Sequence, residues 1–257
     1  MCLILFAFQA HADFPLVIAA NRDEAYTRPA VPAGFWRDHP RVHGGRDLEM
    51  GGSWMGLTRE GRFAAVTNYR DGFPKGVAPR SRGELVGGFL TGTQAARPYL
   101  DSVAARKAEY AGFGVLAGDL NALWFLSNYG NGVEPVAAGV HGLSNHLLDT
   151  PWPKVTSGKR ELAALLHGDA GLLPEKLFAL LSDRGVAMDH ELPDTGVGLQ
   201  REKALGPKFI AVDDRYGTRA STVVIVQRDG SVSYNERSFG PRGKFLGVVS
   251  QQFELTA

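Results

Sequence analysis

Cysteine is almost absent from this chain: Cys2 is the single thiol in 257 residues. That excludes an intrachain disulfide, and it excludes the clustered thiolates of a structural zinc site. The histidines supply no metal spacing in their place, since His141 and His146 stand in an apparent loop and His39 and His43 lie about Pro40. An excess of one charge is also missing. With 28 basic and 27 acidic side chains the formal net charge is +1, which removes the electrostatic footprint of a nucleic-acid or anionic-membrane binder. Long hydrophobic runs are lacking too. The first, Leu3–Phe8, is far shorter than the roughly 20 apolar residues of a membrane span. No basic segment precedes it as in a signal peptide, so a cytoplasmic protein without a membrane span is expected. Finally, there is no Gly-x-Ser-x-Gly elbow, and Gly51-Gly52 precedes a strand rather than a helix, unlike a phosphate loop.

Glycine, by contrast, is abundant at 32 residues, and it falls between short β-rich runs. The runs Cys2–Phe8 and Leu16–Ala20 read as paired strands. Arg28 to Pro40 is proline-rich and reads as irregular. Ser53–Thr58 and Arg62–Thr67 flank Arg59-Glu60-Gly61 as a hairpin. Ser81 with Glu84 forms a capping-box signature for a helix from Arg82, with Leu85, Val86, Phe89 and Leu90 on one face. A second helix is expected over Thr93–Tyr110, limited at its start by Pro98. Strands follow at Phe113–Ala117 and Ala122–Ser127, then helices at Val155–Leu166 and Pro174–Ser182. Gly185–Pro207 has little periodicity and reads as a mobile loop. Strands close the chain at Phe209–Val212, Thr222–Gln227, Ser231–Glu236 and Phe245–Phe253. Strands joined by short turns imply antiparallel sheets whose faces the helices cover. The expected architecture is α+β: a four-layer αββα sandwich of two antiparallel sheets flanked by helices, in one domain over residues 1–257.

The position of Cys2 carries chemistry. Removal of Met1 would leave the thiol and a free α-amine on one residue. An amine of pKa roughly 7.7–8.0 can take the proton from its own side chain, as N-terminal nucleophiles require. The other reading of Cys2, on position alone, is a small buried apolar residue opening a strand. The second strand ends Asn21-Arg22-Asp23-Glu24. Alternation puts Asn21 and Asp23 on one face and Arg22 and Glu24 on the other, so one pair faces Cys2 if the two strands pair. Asn68 and Asn145 each end a β segment; an Asn amide there serves as an oxyanion donor or as a turn residue.

Taken in order, the motifs resemble the Transport and Golgi organisation protein 2 family, also called the NRDE family. They run from Met1-Cys2 and Ala19–Glu24 with Tyr26 and Arg28-Pro29, through Gly51–Gly56, Thr67-Asn68-Tyr69, Arg82–Val86 and Gly142–Asn145. Asp149–Lys154 and Tyr216–Arg219 complete the set. The resemblance implies an N-terminal-nucleophile-hydrolase-like fold, distantly related to the choloylglycine hydrolase and penicillin V acylase group. It implies that Cys2 matches that group's nucleophile and that Asn68 and Asn145 match its asparagines near the oxyanion. That group spaces an Arg and an Asp three residues apart, whereas Arg22 and Asp23 are adjacent here. The implied site is Cys2, Asn21, Arg22, Asp23, Glu24, Asn68 and Asn145. It needs no cofactor for hydrolysis of an amide or thioester of a small acyl substrate. Family members are associated with haem trafficking and lipid homeostasis, so the alternative is a carrier holding haem or an acyl lipid, with Cys2, His141 or His146 near iron. A structural or partner-binding module is the third reading.

Overall fold

The computed structural model describes residues 2–72 and 78–256; Met1 lies outside them. Among the described residues the chain first forms β1 (Cys2–Phe8), β2 (Leu16–Ala25), β3 (Ala30–Phe35), β4 (Val42–Asp47), β5 (Met55–Thr58) and β6 (Phe63–Asn68). The helices α1 (Gly83–Thr91) and α2 (Ala96–Ala105) follow, then β7 (Phe113–Gly118), β8 (Leu123–Ser127), β9 (Val133–Val136) and β10 (Gly139–Leu143). After α3 (Pro153–Leu166), α4 (Leu173–Leu181) and α5 (Leu199–Leu205) come β11 (Tyr216–Val226), β12 (Ser231–Gly240) and β13 (Lys244–Glu254). One sheet has the order β10-β1-β2-β11-β12-β13, the other β3-β4-β5-β6-β7-β8-β9, and every ladder is antiparallel.

Strand alternation sorts the apolar residues into three cores. In β1, Ile4, Phe6 and Phe8 enter the core between the sheets, where they meet Met55, Leu57, Phe63 and Leu116. Leu3, Leu5 and Ala7 point the other way, against Val155 and Leu162 of α3 and Leu177 and Leu181 of α4. On the far side, Ala64, Val66, Val115 and Ala117 pack on Leu85, Val86 and Phe89 of α1 and Leu100 and Val103 of α2. The result is the expected αββα sandwich of two antiparallel sheets. A strand buried on both faces reads as a continuous apolar run, which is why Cys2–Phe8 shows no polar alternation.

Several elements differ from the sequence reading. The proline-rich stretch is not irregular: β3 and β4 form there, and Pro32 is tolerated because β3 is an edge strand with a register shift between Val31 and Gly34. The predicted helix 93–110 is shorter, Ala96–Ala105. The capping box is not formed, because Glu84 turns to Arg80 and the Tyr110 hydroxyl; Ser81 Oγ instead accepts from the Gly83 amide at 3.2 Å. Residues 185–207 contain α5, whose one buried residue is Glu202; it lacks the apolar stripe that sequence periodicity detects. The strand expected at Phe209–Val212 is only a bridge between Ala211 and Gly217.

Gly52 is where α1 seats on the β-sandwich. A Cβ there would stand 2.4 Å from the Gly83 carbonyl carbon, which is backbone and cannot swing aside. Gly52→Ala should therefore cost about 1–3 kcal/mol in urea-induced unfolding. Gly34→Ala, with nothing within 4 Å of its Cβ, should stay within about 0.5 kcal/mol of the parent.

Candidate functional site

A cavity of about 660 Å³ is lined from both sheets, and Cys2, Arg22, Glu24, Asn68, Arg82 and Arg219 are among its walls. The register explains the grouping. Cys2 is the cross-strand partner of Arg22, and both share the inter-sheet parity of Ile4 and Ala20. Arg22 in turn pairs with Ala220 of β11, and Thr222 pairs with Glu236 of β12. Between Thr218 and Ala220 the β2–β11 register shifts, leaving Arg219 as the extra residue of a bulge. Bulges next to sites re-aim a side chain. Here Arg219 leans along the end of β2, donating to the carbonyls of Ala25 and Arg28.

Cys2 is 7% exposed. Burial pushes its pKa up, and the charge of Asp23 acts in the same sense, against Arg22 and the Asp23 amide. Asp23 is itself buried, and burial raises its carboxyl pKa against Lys154, Thr218 and Arg70. Thr218 Oγ1 donates to Asp23 Oδ1 at 2.7 Å, and the Tyr216 hydroxyl donates to the Asp23 carbonyl at 3.1 Å. Behind Asp23, on the helix side, lies a buried charge cluster. Arg70 pairs with Glu202 at 2.5 Å, and Glu202 also accepts from the Thr195 amide and hydroxyl. Lys154 Nζ donates to the Leu205 carbonyl at 2.9 Å. Burial, then the Arg70 charge, lowers the Lys154 pKa to about 8, while Asp23 opposes this.

The expected alternation at the end of β2 is present. Arg22 faces the cavity side with Cys2, whereas Asn21 faces the helices. There its Nδ2 donates to the carbonyls of Leu181 and Lys208, and its Oδ1 accepts from Ser221. Glu24 lines the cavity, with Oε1 accepting from the Ala25 amide. Asn68 also lines it, at the end of β6. Asn145 is fully buried and spends an amide hydrogen on the Asn68 carbonyl at 3.0 Å. The neighbouring Ser144 hydroxyl donates to the Cys2 carbonyl at 3.2 Å, tying this loop to β1. The histidines are occupied elsewhere. His141 bonds Asp149 and the Ala137 carbonyl, and His146 bonds the Tyr69 and Thr150 hydroxyls. Arg82, Arg219, Lys154 and Arg70 received no role from the sequence, although the first three lie inside quoted motifs. Among the described residues, no group of three or more His, Cys, Asp or Glu is placed to hold a metal ion. No described helix is long and apolar enough to cross a membrane.

The family profile Transport and Golgi organisation 2 matches residues 1–241. The chain belongs to that family. It is 40% identical to the Transport and Golgi organization protein 2 homolog of Bos taurus, over all of this chain and 97% of the relative. To the Homo sapiens homolog it is 37% identical, over 93% of each chain. The Drosophila melanogaster Transport and Golgi organization protein 2 is 27% identical over 93% of this chain and 92% of its own. Among solved structures, a mutant conjugated bile acid hydrolase from Clostridium perfringens aligns with TM-score 0.43 at 9% identity, over 100% of this chain and 98% of that chain. A Caenorhabditis elegans N-acylethanolamine-hydrolyzing acid amidase ortholog aligns with TM-score 0.45 at 13% identity, over 87% and 92%. For this family member the four-layer order rests on its own sheets and cores.

The buried Lys154 sets a pH signature. Its pKa lies at about 8 folded against 10.5 for an ordinary lysine. Between those values the unfolded chain binds more protons than the folded one, so stability rises with pH across the window. The unfolding free energy of the parent relative to Lys154→Met should rise by about 2–3 kcal/mol over that interval, measured in urea at pH values spanning it. Parallel curves would show that Lys154 titrates like a lysine in water.

Proposed function

We propose that this protein is an N-terminal cysteine hydrolase of amide or thioester bonds, acting on a small acyl substrate. The observation that carries the reading is the placement of the chain's single thiol, at its second residue, in the wall of a cavity beside Arg22 and Asn68. Burial holds that thiol protonated at neutral pH, so it needs a base. Once Met1 is removed, the α-amine of Cys2 supplies one on the same residue. The amine takes the thiol proton, and Sγ forms a bond to the substrate carbonyl carbon. The carbonyl π electrons move to oxygen, where a hydrogen-bond donor such as the Asn68 amide stabilises the charge. Collapse breaks the C–N or C–S bond, and the leaving group takes the proton from the α-ammonium. Water, deprotonated by the same amine, then releases the carboxylic acid and restores the thiol. Asp23, whose charge acts on Cys2, would orient the ammonium. Val31, Pro32, Trp54 and Val248 give the cavity an apolar side that suits an acyl group.

The alternative of a haem or acyl-lipid carrier uses the same cavity. His141 and His146 have both ring nitrogens in hydrogen bonds and do not line it, so the thiol is the better-placed iron ligand of the three. Turnover separates the two readings. Intact mass of the purified protein should lack Met1, and Cys2→Ala should lose at least about a thousandfold in kcat/KM across a panel of acyl amides and thioesters. A protein that retains Met1, shows no turnover on the panel and binds haem saturably through Cys2 would instead be the carrier.

A further inference from the structure

The cavity around Cys2 has an uneven pairing of charges that the hydrolytic steps do not use. Six arginines line it: Arg22, Arg28, Arg46, Arg80, Arg82 and Arg219. Three are neutralised by carboxylates. Arg28 pairs with Asp47 and Glu49, Arg46 with Asp38, and Arg80 with Glu84 and Glu109. The others are not. Among the described residues Arg22 makes no hydrogen bond or ion pair, and Arg82 and Arg219 bond only backbone carbonyls, of Gly112 and of Ala25 and Arg28. Arg22 acts on Arg219 and on Cys2, and Arg82 feels Glu24 and then Cys2.

The carboxylates facing these three offset them only in part: Glu24 acts on Arg82 and Arg219, and Asp47, already paired with Arg28, acts on Arg219. Glu24 is a single negative charge whose Oε1 is already held by the Ala25 amide. Glu236 lies buried at the base, taking the Ala33 amide at 2.8 Å and the Thr222 hydroxyl at 3.1 Å, and burial pushes its carboxyl toward the neutral form. Asp23 also reaches the cavity wall, but its Oδ1 accepts from Thr218, burial pushes its carboxyl toward the neutral form, and Lys154 and Arg70 are the cations that act on it. Half-buried guanidiniums without carboxylate partners carry a desolvation cost. Their planar donor forks match a carboxylate or a phosphate. The bulge that displaces Arg219 and the α1 start that presents Arg82 are two independent backbone features that bring both into the wall of the cavity Arg22 also lines.

We propose that Arg22, Arg82 and Arg219 form an anion-binding subsite, so that the ligand reaching Cys2 carries a carboxylate or phosphate group close to its reacting carbonyl. This rests on Cys2 as the reacting group, and it narrows the substrates to acyl compounds with a negatively charged neighbouring group. The fork geometry accommodates either anion.

Alkylation of the lone thiol tests the subsite without any turnover. Iodoacetate and iodoacetamide present the same electrophilic carbon, one with a carboxylate and one neutral. Each forms an S–C bond and expels iodide, and the ratio of their rates cancels the fraction of thiolate. That ratio at Cys2 should exceed the ratio for glutathione by about tenfold or more at low salt, through local concentration of the anion. It should fall at least about fivefold in Arg22→Gln, which breaks no hydrogen bond, and stay unchanged in Arg97→Gln, a remote surface arginine paired with Asp101. Titration calorimetry with N-acetylglycine, its neutral amide and inorganic phosphate gives a second readout independent of the thiol. Binding of either anion, weakened by Arg22→Gln, with none of the neutral amide, supports the subsite and shows which anion it prefers. A glutathione-like ratio, or affinities indifferent to Arg22→Gln, would overturn it. A thiol inert to both reagents but with Arg22-dependent anion binding would sink the hydrolase and keep the subsite.

Discussion

The structure depends on the pairing of β1 with β2 and on the burial of β1 on both faces. All seven residues of β1 are buried, alternating between the inter-sheet core and the helix-side core. Two independent sets of apolar contacts therefore fix its register. A slip by one residue would exchange the two sets and send Phe6 and Phe8 into the space under α3 and α4. The same register sets Cys2 opposite Arg22. The placement of the thiol thus follows from packing that extends well beyond it.

Polarity then divides at the strand ends as the cores divide further in. On the helix side, Asp23, Lys154, Arg70 and Glu202 gather into a buried cluster. It fastens α5, a helix with no buried apolar residue, through Glu202 and the Leu205 carbonyl. On the inter-sheet side, arginines gather around the cavity, and Arg22, Arg82 and Arg219 among them have no carboxylate in an ion pair among the described residues. Cys2 sits where the two environments adjoin. Breaking the helix-side cluster would leave charges buried without partners, whereas the cavity side keeps its charges near solvent and within reach of a ligand.

Much of this was legible in the sequence because it depends on local periodicity. The run Cys2–Phe8, the hairpin at Arg59–Gly61 and the helical faces of Leu85–Leu90 and Val155–Leu166 each announce themselves by spacing. The opposite facing of Asn21 and Arg22 follows from strand alternation alone. Edge strand β3 was hidden by Pro32, and α5 was hidden because an ion pair, not an apolar stripe, anchors it. Arg219 was illegible as a cavity residue, since its direction comes from a bulge that exists only where β11 pairs with β2. Asn145 read as an oxyanion donor or a turn residue, and the bond from its amide to the Asn68 carbonyl, far away in sequence, could not be read from spacing.

By itself, the sequence determined the layered α+β architecture, the absence of an intrachain disulfide, and the special standing of a lone thiol at position two. Those properties follow from composition, period and position along the chain. The tertiary structure decided which polar groups share space with that thiol. Arg82 from the start of α1, Arg219 from a β-bulge and Asn68 from the opposite sheet reach one cavity through long-range pairing and packing. Ion pairs, meanwhile, decide which of its arginines remain available. Charge balance in a cavity depends on three-dimensional neighbours, and no count along the chain contains it.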